Sequence, residues 1–444
     1  MQEIHTPSSR IDMRHALGWS DLTGKTVGIF GAGVEGRSAA ARLKGTAHSL
    51  VVVDDDPAAT MDGVGVLATD QGGLDALLRC DVVIKSPGIS AYRSEVSILE
   101  RAGVPVVGGI GLTLHDMDTS RVVCVTGTKG KSTTSAILGH LLTGLGRRVA
   151  VTGNIGVPPF DPSVGTDLEV LVIETSSFQA LDVADAPGVV VVTSLDTDHV
   201  DWHGSADRYR SDKLSLTSLP NAGITIAQAR SETLVAHKDE LGGEVRWVSD
   251  LAGPWSEPLG LVGDHNLANA ELARVALDAL GIPEANDPDA LRLAAEGFAT
   301  LDGRFADAGS VGGVHFIDDS LATNVLPTLA ALAALEQQRV AILLGGHDRG
   351  IDYEPLISAI RERPWPTLVV GLPASGPLLV QAITGDGRHQ GAVAADVAEA
   401  TSIAHRWAQP DGVVLLSPAA PSFGQFRNWK ERSAAFRAAI DSLR

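Results

Sequence analysis

The sequence predicts an α/β protein of three consecutive domains, each built on a mostly parallel sheet with helices around it. Three observations carry that expectation. Short runs of Val, Ile and Leu recur along the chain, each ending in a glycine-rich or polar turn, with a helix-like stretch after the turn. A length of 444 residues corresponds to about three domains at ~150 residues each. An apolar fraction of 44% with 20% charged residues is a globular composition that can fill several cores.

The first domain is expected over residues 1–118. Val27–Phe30, Leu50–Val53 and Val82–Ile84 read as buried parallel strands. The first leads into Gly31-Ala-Gly33-Val34-Glu35-Gly36 and a helical stretch over Ser38–Leu43. The others end at Asp54-Asp55-Asp56 and Lys85-Ser86-Pro87-Gly88. A polar segment, His115–Ser120, serves as a linker. The second domain, 119–302, opens with Arg121–Thr126, a glycine loop and a helix over Thr134–Leu145, followed by strands at Val149–Thr152, Leu168–Ile173 and Val189–Thr193. Residues 221–260 are the least regular, and mixed short strands are expected there. The third domain, 303–444, places strands at Val314–Ile317, Arg339–Leu344, Leu368–Val370 and Val413–Leu416. Ligands of such sheets bind at the carboxyl ends of the strands, where the unusual loops fall.

The charge balance excludes one broad class. With 35 Lys and Arg against 54 Asp and Glu the net charge is −19, so no general basic field exists for nucleic acid. An anionic ligand therefore needs a locally positive site. Cys80 and Cys124 sit in apolar runs and read as small core residues, too few for a disulfide framework or a thiolate metal site. The first twenty residues include Glu3, His5, Arg10, Asp12 and Arg14. They show no apolar core of a secretory signal, and no run of about 18 apolar residues follows. A cytoplasmic protein is expected.

Thr126-Gly127-Thr128-Lys129-Gly130-Lys131-Ser132-Thr133 is the sharpest local signal. It follows a strand and opens a helix, so backbone N–H groups can turn onto phosphate oxygens at a positive helix end. Lys131 can reach terminal phosphates, and the Ser132 hydroxyl can coordinate Mg²⁺. The match to G-x-x-x-x-G-K-[ST] is imperfect, because Val125 stands where the first glycine would be. The alternative is a glycine turn with a solvated lysine. The loop Gly31-x-Gly33-x-x-Gly36 matches a dinucleotide fingerprint, with Asp54 and Asp55 about 20 residues on. Alone it argues for NAD and a dehydrogenase; with the second loop it argues for two phosphorylated ligands. Ser86 and Gly88 could add backbone contacts, or form a plain turn.

Glu174 closes a strand and could serve Mg²⁺, which prefers oxygen donors and substrate phosphates, or simply favour a helix N-terminus. The stretch Asp196-Thr-Asp198-His199-Val-Asp201-Trp-His203 gathers three acids and two histidines at a strand end, where a functional cluster is expected. Lys213 lies one helix length on, as a phosphate partner or a surface charge.

Taken in order, these segments resemble the Mur ligase family, ATP-dependent amide-forming ligases of peptidoglycan precursor synthesis. The resemblance spans nearly the whole chain: the phosphate loop, Gly153-Asn154-Ile-Gly156, Glu174-Thr-Ser-Ser177-Phe-Gln179, Asp198-His199, Asp212-Lys213-Leu214, Gly263-x-His265-Asn266, Gly303-Arg304-Phe305, Asp318-Asp319-Ser320 with Ala322-Thr323-Asn324, Leu344-Gly-Gly346 and Leu415-Leu-Ser-Pro418. It implies an N-terminal Rossmann-like domain, a central P-loop ATPase-like domain and a C-terminal Rossmann-like domain.

Within the family the first loop is similar to that of the enzymes adding glutamate to UDP-N-acetylmuramoyl-L-alanine, where it holds the uridine diphosphate end rather than NAD. The resemblance then implies that Gly31, Gly33, Val34, Glu35, Asp54, Ser86, Gly88, Asn154 and Ser177 meet that substrate. Gly127, Thr128, Lys129, Gly130, Lys131, Ser132, Thr133, Asn266, Arg304 and Asp319 would seat ATP. Ser132, Glu174, His199 and a carbamylated Lys213 would hold Mg²⁺, with Lys131, Glu174, His199 and Lys213 as the catalytic set. Thr323, His347, Arg349, Ser422 and Trp429 are candidates for glutamate, over which the third domain would close.

Three departures stand out. Leu321, Lys129 and Trp429 occupy positions where D-glutamate-adding enzymes carry Lys, usually Asn, and Phe. Lys85–Ser90, Asp201–Gly204, Gly345–Gly350 and Pro421–Gly424 look closer to a subgroup that adds L-glutamate. A monomer acting on UDP-N-acetylmuramoyl-L-alanine and glutamate, without nucleic acid or membrane span, is expected. D-glutamate addition, folate polyglutamation, and an NAD dehydrogenase or non-catalytic nucleotide-binding module stay open as alternatives.

Overall fold

A computed structural model describes residues 14–444 except 262, 300–302, 349–350, 385–388 and 423. It contains three sheets. The first consists of β1 (Thr26–Phe30), β2 (Ser49–Asp54), β3 (Val66–Ala68), β4 (Val82–Lys85) and β5 (Val106–Val107). Its order is β3-β2-β1-β4-β5, and all neighbours are parallel. The second has β6 (Val122–Thr126), β7 (Val149–Gly153), β8 (Val170–Glu174), β9 (Val189–Val192), β10 (Ile224–Gln228) and β11 (Glu244–Val248). Its order is β11-β10-β9-β6-β8-β7, again all parallel. The third has β12 (Ala306–Val311), β13 (Val314–Asp318), β14 (Val340–Leu344), β15 (Thr367–Gly371), β16 (Gln390–Val393) and β17 (Val413–Leu416). Its order is β12-β13-β17-β14-β15-β16, parallel except where β12 runs antiparallel to β13.

The α/β class with parallel sheets is therefore observed. The 221–260 region differs from the mixed strands expected. β10 and β11 pair in parallel and extend the second sheet, with a helix, Glu232–Ala236, between them. The third sheet gains β12 and β16, which the apolar runs did not mark.

Burial explains the pattern. β6, β8, β9, β14, β15 and β17 are buried along their whole lengths, as strands covered on both faces must be. Cys80 and Cys124 are both buried free thiols within the cores. Among the described residues no helix is long and apolar enough to cross a membrane.

Contacts divide the chain into two compact units. One is Met1–Gly260 with Asn266–Phe298 and holds the first two sheets; the other is Leu261–His265 with Ala299–Arg444 and holds the third. In each sheet the strand order reverses beside a central strand: β1 against β4, β6 against β8 and β9, β17 against β13 and β14. Crevices at such reversals are where α/β sheets take ligands.

Candidate functional site

At the first reversal, β1 gives way to the glycine loop and to the helix Val34–Leu43. Gly36 has no room for a side chain: a Cβ there would lie 1.9 Å from the Gly31 carbonyl oxygen. That close packing brings the helix N-terminus hard against the strand end. Ser86, from the loop after β4, donates from Oγ to Gly31 O at 3.0 Å, so the two predicted loops meet. Gly33, Val34 and Gly88 are exposed on this edge. Asp54 has an internal task as well, accepting Ala32 N–H at 2.6 Å and Asp56 N–H at 2.9 Å.

Glu35 accepts from Gln179 Nε2 at 2.6 Å, which joins the first sheet's loop to the second sheet's. Burial pushes its carboxyl up to about 7, against lowering by Gln179 and Lys85. A carboxyl raised on folding binds protons more tightly in the native state. It therefore removes stability as pH rises from the unfolded value near 4.5 towards 7. Glu35→Gln is expected to be more stable than the parent by about 1–3 kcal/mol at pH 8, and by little at pH 4. Urea midpoints of both proteins at the two pH values check this.

At the second reversal, β6 runs into the phosphate loop and the helix Lys131–Gly144. Gly130 holds φ 91°, and a Cβ would meet Asn269 Oδ1 at 2.6 Å. Only glycine suits that position. Thr128 Oγ1 bonds Tyr209 OH at 2.9 Å, and Thr193 Oγ1 donates to Thr126 O at 3.1 Å. Three lysines converge here. Lys131 Nζ donates to Gly127 O at 2.8 Å and Thr128 O at 3.3 Å. Lys213 Nζ donates to the same Gly127 O at 3.1 Å. Lys129 pairs with Asp198 at 3.3 Å. In a chain of charge −19 this is the locally positive edge that an anionic ligand requires. Ser132 is buried, and Thr133 half-buried, in the helix's first turn.

Glu174 ends β8 in register with Val125 of β6. It is 1% exposed. Oε1 accepts from Asn154 Nδ2 at 2.7 Å, while the buried Oε2 has no hydrogen-bond partner among the described residues. His199 adopts a left-handed backbone, φ 48°, uncommon for a residue with a side chain and characteristic of functional loops. Its ring lies edge-on to Phe178 with centroids 5.0 Å apart. Lys213 is 2% exposed. Burial, with Lys131 beside it, holds its ammonium well below the usual lysine range.

The donor chemistry fits Mg²⁺. Glu174 offers an unpartnered carboxylate oxygen, and Ser132 a hydroxyl at the head of the phosphate loop. Among the described residues no three His, Cys, Asp or Glu side chains form a ready metal cage. Mg²⁺ is commonly held through one or two carboxylates and substrate phosphates.

In the second unit the reversal gathers a separate group. Asp319 accepts from Ser417 Oγ at 2.7 Å and from Phe305 N–H at 3.2 Å. Burial pushes its carboxyl up to about 7, with Ser417 and Arg304 opposing. Trp429 packs on Gly303, where a Cβ would lie 2.8 Å from the ring. His347 N–H donates to Pro421 O at 3.0 Å, next to the buried Ser422. Thr323 is half-buried nearby in sequence to Asp319. Arg349 lies outside the described residues. Sequence reasoning missed Arg432, a fully buried guanidinium that donates to Ala420 O and Ser320 O at 3.0 and 2.8 Å. It ties together the two loops that carry Ser422 and Asp319.

Other residues were missed in the first unit. Asn269 follows Asn266 by one helical turn, a spacing that could have flagged it. Tyr92, half-buried, was missed as well; it joins His203, Asp212 and Ser177, which the sequence had singled out without showing that they meet, in a group described below.

Two family models match the chain: the Mur ligase middle domain over residues 125–249 and the Mur ligase glutamate ligase domain over residues 303–420. A protein of a Micromonospora strain is 38% identical over 452 residues, covering 95% of this chain and 97% of its own length. One of Salinispora tropica is 36% identical over 446 residues, covering 95% and 98%. Both are named UDP-N-acetylmuramoyl-L-alanine--L-glutamate ligase. The chain belongs to the Mur ligase family. Solved Mur ligases share the fold. UDP-N-acetylmuramate-alanine ligase of Thermotoga maritima superposes with a TM-score of 0.58 at 18% identity, covering 95% of this chain and all of that one. The MurF ligase of the same organism, solved with ADP, gives 0.57 at 16% identity over 98% and 99%. As a Mur ligase this chain is an ATP-using enzyme of the amide-forming ligase class, and the phosphate loop is where its positive edge stands.

Proposed function

We propose that this Mur ligase joins L-glutamate to UDP-N-acetylmuramoyl-L-alanine, using ATP and passing through an acyl phosphate. The observation that carries the reading is the pairing, within one compact unit, of two glycine-loop cradles at two sheet reversals, Gly31–Gly36 and Gly127–Gly130. The two named relatives, matched over 95% of this chain, support the choice of substrates.

The chemistry follows from charge. The carboxylate of the UDP-substrate attacks the γ-phosphorus of ATP, the bond to ADP breaks, and an acyl phosphate forms. The glutamate amine then attacks the acyl carbon, phosphate leaves, and the amine gives up a proton. Two anions must approach in the first step, so cations decide it. Lys131, which donates to the Gly127 and Thr128 carbonyls, would exchange them for phosphate oxygens. Lys129 sits one residue before Gly130 as a second cation. Glu174, Ser132 and His199 would hold Mg²⁺, which screens phosphate charge when bound. Glu174 also fixes Asn154 through the amide Nδ2, and Asn154 is assigned to substrate.

Lys213 takes a different role. Buried and shifted towards its neutral amine, it is suited to attack CO₂, forming a C–N bond and losing a proton to give a carbamate. That puts an anion able to join Glu174 where the buried amine stood. Asn266 contributes to ATP from the first unit, with Arg304 and Asp319 assigned to ATP in the second. Thr323, His347, Arg349, Ser422 and Trp429 are assigned to glutamate. Leu321, in place of the lysine of D-glutamate-adding enzymes, removes one cation from that wall and favours the L-form.

ADP release with UDP-N-acetylmuramoyl-L-alanine and each glutamate enantiomer separately tests the reading. Turnover is expected to be at least about 100-fold faster with L-glutamate, the discrimination a lost charge-assisted contact can give. Turnover with D-glutamate alone would remove the L-assignment and keep the ligase. No ADP with either would remove both.

A further inference from the structure

Behind the reaction edge lies a buried chain of hydrogen bonds that the proposed chemistry does not use. Ser177 Oγ bonds His203 Nε2 at 2.9 Å, and His203 Nδ1 bonds Asp212 Oδ2 at 2.6 Å. Tyr92 OH donates to the same carboxylate at 2.7 Å. His203 is 0% exposed, Ser177 2% and Asp212 5%. Aromatic rings close over it. Phe178 stacks on His203 with centroids 5.4 Å apart, and Tyr209 meets it edge-on at 5.3 Å.

With a neutral imidazole the donor pattern has one solution. Asp212, as a carboxylate, can only accept, so it takes the Tyr92 hydroxyl proton and the His203 Nδ1 proton. His203 Nε2 is then the acceptor for Ser177 O–H. Every polar atom of the chain is satisfied, as a buried network needs.

Its four members come from four segments, each carrying a residue of the site. Ser177 stands three residues after Glu174. His203 ends the turn that His199 begins, and its N–H donates to His199 O at 3.2 Å. Asp212 immediately precedes Lys213. Tyr92 lies on the loop that starts with Ser86 and Gly88, and Ser90 of that loop donates to Trp202 O at 3.3 Å. The chain adds to the single bonds, such as Ser90 to Trp202 and Lys213 to Gly127, that already link these segments to their neighbours.

We propose that His203 and Asp212 are positioning residues of the ligase: the Ser177–His203–Asp212–Tyr92 chain sets the register of the segments bearing Glu174, His199 and Lys213 against the loop that seats the uridylated substrate. The inference rests on the ligase function above. It assigns no proton transfer to the chain; its work is to fix distances, and sub-ångström placement governs rate more than binding.

Asp212→Asn in the full-length protein tests it. The amide cannot accept the Nδ1 proton and donate nothing, so it disfavours the tautomer that receives Ser177. Expected is a 10–100-fold fall in kcat, the usual cost of losing an outer partner of a reaction centre. The Kd values for UDP-N-acetylmuramoyl-L-alanine and for a non-hydrolysable ATP analogue, measured by calorimetry, are expected to stay within about threefold. Tyr92→Phe removes one hydroxyl from a half-buried site and serves should Asp212→Asn fail to fold. A 3–10-fold fall in kcat with both Kd values retained is expected. If Tyr92→Phe keeps parental kcat, or loses binding and melting temperature in step with kcat, the positioning role is overturned. A parent that releases no ADP with these substrates overturns the ligase reading, and this one with it. A parent that turns over beside variants that match it overturns this one alone.

Discussion

Lys131→Ala is expected to lower the rate of ADP release by about 10²–10³-fold or more while leaving the melting curve close to that of the parent. The size follows from removing a preorganised cation from a site where charge develops between two anions. The small effect on stability follows from what Lys131 does in the free protein. Its ammonium donates to two carbonyls of its own loop, Gly127 O and Thr128 O, and Gly127 O keeps the Lys213 donor when Lys131 is lost. The loop's shape depends instead on Gly130, on Asn269 against it, and on Thr193 and Tyr209. Single-turnover ADP formation with UDP-N-acetylmuramoyl-L-alanine, beside a thermal melt, checks both halves. Turnover near the parent's would remove phosphoryl transfer from this loop, whatever the loop's resemblance.

What the sequence made legible, and what it hid, divides along burial. β6, β8, β9, β14, β15 and β17 are buried along their lengths, so apart from a polar residue at an end of β6, β8 and β15 they are runs of apolar residues and declare themselves. The loops after β6 and β8 could be placed at a sheet edge for that reason alone, and Lys131 and Glu174 with them. Among the edge strands β7 still shows such a run, but others do not. β16 is Gln390-Gly-Ala-Val393 and mostly exposed, and β3 and β11 are exposed or half-buried along much of their lengths. Nothing in their composition separates them from loop. The site shows the same division. A glycine loop is local chemistry, and its residues are adjacent in the chain. The Tyr92–Asp212 bond joins residues 120 apart, and Glu35–Gln179 joins residues 144 apart. Such partners exist only once two sheets have packed into one unit, and no periodicity encodes them. His203 shows the cost of that gap. It stood out as one of a cluster of acids and histidines, yet the structure places its ring in a buried chain with Ser177 and Asp212. Arg432 is the counterpart in the second unit: an arginine in a polar helix reads as solvated, and only the fold shows it fully buried under two loops.

Lys213→Ala is expected to reduce turnover by at least about 10²-fold, and added short-chain carboxylates such as acetate or propionate are expected to restore part of it. The reasoning starts from burial. A lysine 2% exposed, beside the ammonium of Lys131, is costly to hold as a cation. Desolvation comes first among the causes that lower it, and Lys131 second. A neutral amine at that depth is a nucleophile, and the ion it would make with CO₂ is the opposite in sign to the one that burial rejects. A carbamate beside Lys131 and Lys129 exchanges cation repulsion for attraction, and it supplies the oxygen donors that Glu174 alone does not. The alanine variant leaves a gap that a small carboxylate can enter, whereas Lys213→Arg fills it with a fixed cation and is expected to stay inactive despite the conserved charge. Removing CO₂ from the parent's buffer gives the independent check. Turnover should fall and should return on adding bicarbonate, with no change in the alanine variant. Full activity without CO₂ would leave Lys213 as an amine donating to Gly127 O, and its burial would then serve the loop rather than the chemistry.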